Sequence, residues 1–273
     1  MTVLDVDAPD ISELVTEDDE PVDNIRSEKS QRILTAPLYD SWEGPTSQDG
    51  EERRKFLAAA NVGLFSSVRT LPLVPDAFLS LDVEVDPEYL SREHRTYFFW
   101  EFGKPPDVVI EIVSNKKGGE LTSKRSGYAR MRVSYYVVWD PELILGSKEL
   151  YAFRLTDGIY QPIAEPVFEV CGLRLVLWDG TFEGVTTRWL RWARLDATLI
   201  PTGKEARAAA EAQAAAARGE AAAAKGEAAA AKGEAAAAKG EAAAAKDEAA
   251  AANERSRRLA DQLRALGVDP GEA

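Results

Sequence analysis

The 273-residue chain has one cysteine, one histidine and no run of 18 apolar residues. A single cysteine, Cys171, cannot close an internal disulfide, which fits a reducing compartment. The lone His94 has no second histidine or nearby cysteine, so neither a zinc site nor a histidine base is expected. Without a long apolar stretch no helix can span a membrane. The opening segment, MTVLDVDAPDISELVTEDDEPVD, lacks the basic start and apolar core of a secretory signal. These absences together point to a cytoplasmic protein with no membrane partner.

Charge is present in excess, but unevenly. The net charge is −13, yet residues 1–30 alone carry 10 acids against 2 bases. Residues 31–200 hold 24 acids and 20 bases, so that region is close to balance and its surface can still carry a basic patch. Three zones follow. Residues 1–35 read as a disordered acidic leader with neither helical nor strand period. Residues 36–200 hold nearly all the aromatic side chains and read as the folded domain. Residues 201–273 form an alanine-rich helical zone.

Within the middle zone, DGEERRKFLAAANVGLFSSV predicts a helix, with Phe56, Leu57, Ala60 and Leu64 as its apolar stripe. DVVIEIVS reads as a buried strand bounded by Pro105–Pro106 and Gly118–Gly119, and SYYVVWDP as another. GELTSKRSGYARMRV between them predicts a short basic helix. LYAFRLTDGIYQPI has the signature of a hairpin turning at Asp157–Gly158. GLRLVLWDG reads as a further strand, and TTRWLRWARL as a terminal helix in which Trp189 and Trp192 pack with Leu195. Mixed strands and helices predict an α/β or α+β layer fold.

The anomaly is Glu111, a carboxylate inside the buried run DVVIEIVS. Burying it is costly unless a cation offsets the lost hydration, either a basic side chain or a metal. Asp76 lies in a second apolar extended stretch, LPLVPDAFLSLDV, and lysines follow Glu111 closely. Two acids from neighbouring strands with a lysine nearby are what metal-assisted phosphodiester cleavage uses. The carboxylates hold Mg²⁺ or Mn²⁺, and the lysine offsets charge on phosphate. Asp107 is excluded as a partner, because four residues along a strand separate it from Glu111 by roughly 13 Å; its role is expected at the strand end. Glu51 and Glu52 read as solvated partners of a helix dipole.

The ordered run VPDAFLSL…RTYFFWEFGKPPDVVIEIVSNKKGGELTSKRSGYARMRVSYYVVWDP resembles the Uma family of restriction endonucleases, within the restriction-endonuclease-like superfamily. The resemblance implies a mixed sheet flanked by helices, a divalent metal cofactor and DNA as partner. It assigns Asp76 to the Pro-Asp position and Glu111 to the second acidic position, both as metal ligands. The superfamily lysine would fall two residues later, where this chain has Val113. Lys124, at the family's basic position in the following helix, is the expected catalytic replacement, with Lys116 and Lys117 as alternatives. The six basic residues of segment 116–132 read equally as a phosphate-facing patch or a solvated face.

The last zone opens with PTGKEA, where Thr202 and Glu205 have capping-box spacing. The unit AAAAKGE then recurs three times from Ala221 and once more as AAAAKDE. Lysine falls at heptad position e and glutamate at g, the inter-chain pairing of a parallel coiled coil, and the same frame puts Leu259 and Leu266 at d and Leu263 at a. A parallel homodimer through residues 204–266 is therefore expected. Its alanine core and helical glycines make it weak.

Overall fold

Two apolar runs, DVVIEIVS and SYYVVWDP, become adjacent parallel strands at the centre of the fold. The computed structural model describes residues 24–47, 50, 52–85, 95–115 and 118–267. Its elements begin with helix α1 (Ile25–Ser41), β1 (Phe56–Ala59), β2 (Leu64–Phe65), β3 (Ala77–Leu81) and β4 (Tyr97–Phe98). The one-turn helix α2 (Phe99–Phe102) leads into β5 (Val108–Ile112), and a π-helical turn, Glu120–Lys124, runs into helix α3 (Arg125–Arg130). After these come β6 (Tyr135–Trp139), β7 (Leu150–Thr156), β8 (Ile159–Ile163) and β9 (Val167–Phe168). The long strands β10 (Leu173–Phe182) and β11 (Val185–Arg194) precede helix α4 (Gly203–Ala265).

The main sheet has the order β1-β3-β5-β6-β7-β8. Only β5 and β6 pair in parallel; the other neighbours are antiparallel. The parallel pair needs a crossover, and the π-turn with α3 supplies it. Both sheet faces are covered, so β3, β5 and β6 are buried at every position. On one face, Ile33, Leu34 and Leu38 of α1 pack with Leu79, Ile110 and Val137, and with Leu175 and Trp192 from the β9–β10–β11 sheet. On the other, Tyr128 of α3 and Met131, which caps its C-terminus, pack with Phe78, Val109, Tyr136 and Phe153.

Three expectations from the sequence are corrected. Residues 25–35 belong not to a structureless leader but to α1, whose Asn24 caps the first turn by accepting from the amides of Arg26 and Ser27. The expected helix over residues 49–68 is β1 and β2. Asn61 takes a left-handed conformation (φ 54°), which ends any helix there, and Phe56–Ala59 instead pair with Leu81–Phe78. The expected terminal helix TTRWLRWARL is β11. Glu183 and Gly184, both with positive φ, form the tight turn that folds it back on β10. Trp189 and Trp192 lie in the core as a result, with Trp192 Nε1 donating to the Leu34 carbonyl at 2.7 Å, while Leu195 is exposed. The turn at Asp157–Gly158 is as expected, both residues having positive φ.

The chain divides into two units at Arg207. In the first, the capping box forms as read. Glu205 N donates to Thr202 Oγ1 at 3.3 Å, and Glu205 Oε2 accepts from Thr202 N at 2.8 Å. The buried Arg191 guanidinium holds the same carboxylate at 2.7 Å and lies 4.4 Å from the Trp178 ring centroid. In the second unit α4 is an unbroken helix that buries none of its residues, and Leu259 and Leu266 are exposed.

Candidate active site

Asp76 is the residue just before β3. Strands β3 and β5 pair with Ala77 opposite Ile110, so one further step of the register sets Asp76 opposite Glu111. Residues directly opposed on antiparallel strands project to one face with Cβ atoms about 5 Å apart. That face is the one α3 covers, since Glu111 alternates with Val109 and Val113, both in the Tyr128 cluster. The sheet thus brings together the two acids that the sequence singled out.

Every oxygen of the pair has a donor. Lys124 Nζ donates to Glu111 Oε2 at 2.7 Å and Tyr128 OH to Glu111 Oε1 at 2.6 Å. The Ile112 amide donates to Asp76 Oδ2 at 2.6 Å, and Gln31 Nε2 to Asp76 Oδ1 at 3.2 Å. Gln31 comes from α1 and is itself fixed by a reciprocal amide pair with Asn61. Lys124 and Tyr128 are four residues apart on one helical face, which is why both reach the same carboxylate.

Burial dominates the electrostatics. Glu111 is 1% exposed, and loss of hydration pushes its carboxyl up to about 8; Lys124 pulls the other way and Asp76 adds to the rise. Burial also works against the charge on Lys124, but Glu111, Asp76 and Glu120 outweigh it, and its ammonium is held above the usual lysine range. Tyr128 is raised well above an ordinary phenol by burial and then by Glu111. A proton on Glu111 leaves an ammonium-to-carboxyl hydrogen bond, whereas a divalent cation beside it would favour the ionised form.

Val113, where a strand lysine would stand, is buried among apolar side chains, and Lys124 delivers its ammonium from the crossover instead. Asp107 sits at the strand end as expected, accepting from Leu81 N at 2.8 Å and from Lys104 Nζ at 2.5 Å. Glu52 is exposed and lies outside any helix. Lys116, Lys117, Glu51 and His94 lie outside the described residues. Sequence reasoning missed Tyr128, Gln31 and Glu120. Tyr128 was available from its i+4 spacing to Lys124. Glu120, four residues before Lys124, is 5% exposed with Oε2 lacking a hydrogen-bond partner. Its carboxylate folds back over Gly118, where a Cβ would lie 1.8 Å from Oε1, so a side chain at that position would have to push the carboxylate aside.

Among the described residues no three His, Cys, Asp or Glu side chains converge as a metal cluster. Asp76 and Glu111 therefore offer a two-carboxylate, all-oxygen donor set. Mg²⁺ is commonly held by one or two carboxylates with water completing its shell, so this pair fits Mg²⁺ or Mn²⁺.

A mixed sheet with two acids opposed on neighbouring strands, and an ammonium supplied by the crossover between its parallel strands, defines a restriction-endonuclease-like protein. The chain belongs to the Uma2 family, described as "Putative restriction endonuclease", whose match covers residues 23–169. That match runs from α1 to β9 and includes all the residues of the site. No curated protein and no solved structure matches the chain.

Proposed function

We propose that the chain is an endonuclease that hydrolyses DNA phosphodiester bonds, with Mg²⁺ or Mn²⁺ held by Asp76 and Glu111. The observation that carries this reading is the register placing Asp76 opposite a buried Glu111 that Lys124 and Tyr128 already orient. When bound, such an ion polarises the phosphodiester and acidifies a coordinated water. The protein's own groups do the rest. The Ile112 amide and Gln31 fix Asp76, Tyr128 fixes Glu111, and the Lys124 ammonium offsets negative charge growing on the phosphate oxygens. The setting we propose is the cytoplasm, with two chains joined in parallel through residues 204–266 so that two sites serve the two strands of a duplex.

Cleavage of supercoiled plasmid with Mg²⁺ or Mn²⁺ tests the reading, with Glu111→Ala as control. Nicking or linearisation by the native chain alone supports it; no cleavage with either metal rejects it. One observation favours a second reading, an inactive nuclease fold retained as a binding module: Lys124 occupies Glu111 Oε2 directly, as a structural ion pair would. Divalent-ion titration separates the two, because a structural pair has no need of the ion.

A further inference from the structure

Arg125 and Arg130 of α3 line a groove of about 420 Å³ against the β7–β8 hairpin, together with Ser126, Phe153, Ile159 and Tyr160. Arg132, just past the helix, brings Nη1 to the hairpin turn, 3.7 Å from where a Cβ on Gly158 would lie. Five arginines elsewhere, Arg32, Arg54, Arg174, Arg188 and Arg191, each pair with a carboxylate, whereas Arg69, Arg154 and Arg194 form no ion pair among the described residues. Among the described residues Arg125, Arg130 and Arg132 pair with none. Arg125 instead rests on the Phe153 ring, 5.2 Å from its centroid, which fixes its guanidinium at the groove. Arg130 and Arg132 are exposed. The one acid of the adjoining turn is the exposed Asp157.

We infer that this groove binds the sugar–phosphate backbone of duplex DNA beside the cleavage site, an inference that rests on the nuclease reading. Charge complementarity supports it, since three guanidinium groups without a carboxylate partner gather at this one groove in a chain of net charge −13. Position supports it as well. Lys124 leads directly into Arg125, and the six steps from Lys124 to Arg130 span ~9 Å of helix. Phosphates of one strand recur at ~3.4 Å along the duplex axis, so the run covers two to three nucleotides. Guanidinium forks suit phosphate oxygens, and contacts of this kind set register without reading sequence. The groove therefore orients DNA, and it leaves target choice to other surfaces.

The test is fluorescence anisotropy of the full chain with a labelled 25-base-pair duplex, in EDTA, across a KCl series. Neutralising two phosphate contacts lowers the slope of log affinity against log salt by about 2. The expectation is that fall in Arg130→Gln/Arg132→Gln, with at least tenfold weaker binding at 100 mM KCl. Asp157→Asn, which suits the left-handed turn, should tighten binding several-fold, a gain that misfolding cannot produce. Unchanged slope and affinity in the double variant overturn the inference. So does an equal loss in Arg69→Gln/Arg194→Gln, which would show general electrostatics only, and so does a native chain that fails to bind at low salt. Because binding is read without metal, a failed nuclease reading shows separately as groove-dependent binding without plasmid cleavage.

Discussion

The Lys124 ammonium stands 2.7 Å from Glu111 Oε2, although 13 positions and a change of element separate the two residues. The crossover between β5 and β6 makes this reach possible, because α3 must pack back over the strand it has just left. An apolar residue at position 113 then leaves the strand free to bury, while the cation arrives from outside it.

Replacing Lys124 with alanine is expected to reduce cleavage by ~10²–10³-fold, the usual loss on removing one group that stabilises transition-state charge. Mn²⁺ affinity, followed by calorimetry, should stay within a few-fold, since Lys124 is not a ligand and competes for Glu111. Undiminished cleavage in the variant removes Lys124 from the mechanism.

Stability of the metal-free protein should fall as pH rises from 5 to 8. Glu111 is held near 8 when folded, against about 4.5 when unfolded, so the folded state binds the extra proton between those values. Its contribution is complete below the unfolded value and is lost as pH climbs through the folded one. His94 is the only histidine in the chain, so little else titrates in that window. Urea unfolding in EDTA at pH 5, 6, 7 and 8 measures the trend. Glu111→Gln should flatten it and leave the variant more stable than the native chain at pH 8. Parallel curves for the two proteins contradict the assignment.

Tyr128→Phe removes one hydroxyl from a fully buried site and leaves Glu111 Oε1 without its donor. The expected loss is ~1–3 kcal/mol of stability, together with a drop in cleavage because the carboxylate is no longer oriented. Chemical denaturation beside the plasmid assay checks both. A variant as stable and active as the native chain makes the hydroxyl incidental.

Helix α4 exposes Leu259 and Leu266 at the heptad positions a partner chain would cover. Sedimentation equilibrium is expected to show self-association of the full chain at tens of micromolar, and a monomer for a chain ending at Arg207. Leu263→Asp should shift the full chain towards monomer. A monomeric full chain at that concentration reduces α4 to a spacer.

The central layer was legible in the sequence because its residues meet local rules. VVIEI and YYVVW are strands by composition, the Asp157–Gly158 turn by its residue types, and Thr202–Glu205 by capping-box spacing. The segment around Phe56 was not, since its alanines and leucines suit a helix in isolation and only pairing with β3 makes it an edge strand. In TTRWLRWARL the tryptophans and arginines fit either period, and the turn at Glu183–Gly184 decides. Asp76 and Glu111 could be found because acids are rare in apolar runs. Gln31 could not, because nothing local ties a glutamine in the acidic N-terminal region to an acid 45 positions away.

The bond from Trp192 to the Leu34 carbonyl also bears on the order in which the site is completed. It joins residues 158 positions apart, so α1 gains this anchor on the β-sheet only after β11 has been made. Since α1 supplies Gln31 to Asp76, a growing chain on the ribosome would carry both acids, with the Ile112 amide, Lys124 and Tyr128 beside them, before α1 is fully anchored over the site. On the proposed nuclease reading the chain would emerge with this support missing, and chains ending before Trp189 should cleave less than the full chain even where the matched region is complete. Cleavage assays on such shortened chains, beside the full one, would show whether synthesis itself is the safety interval.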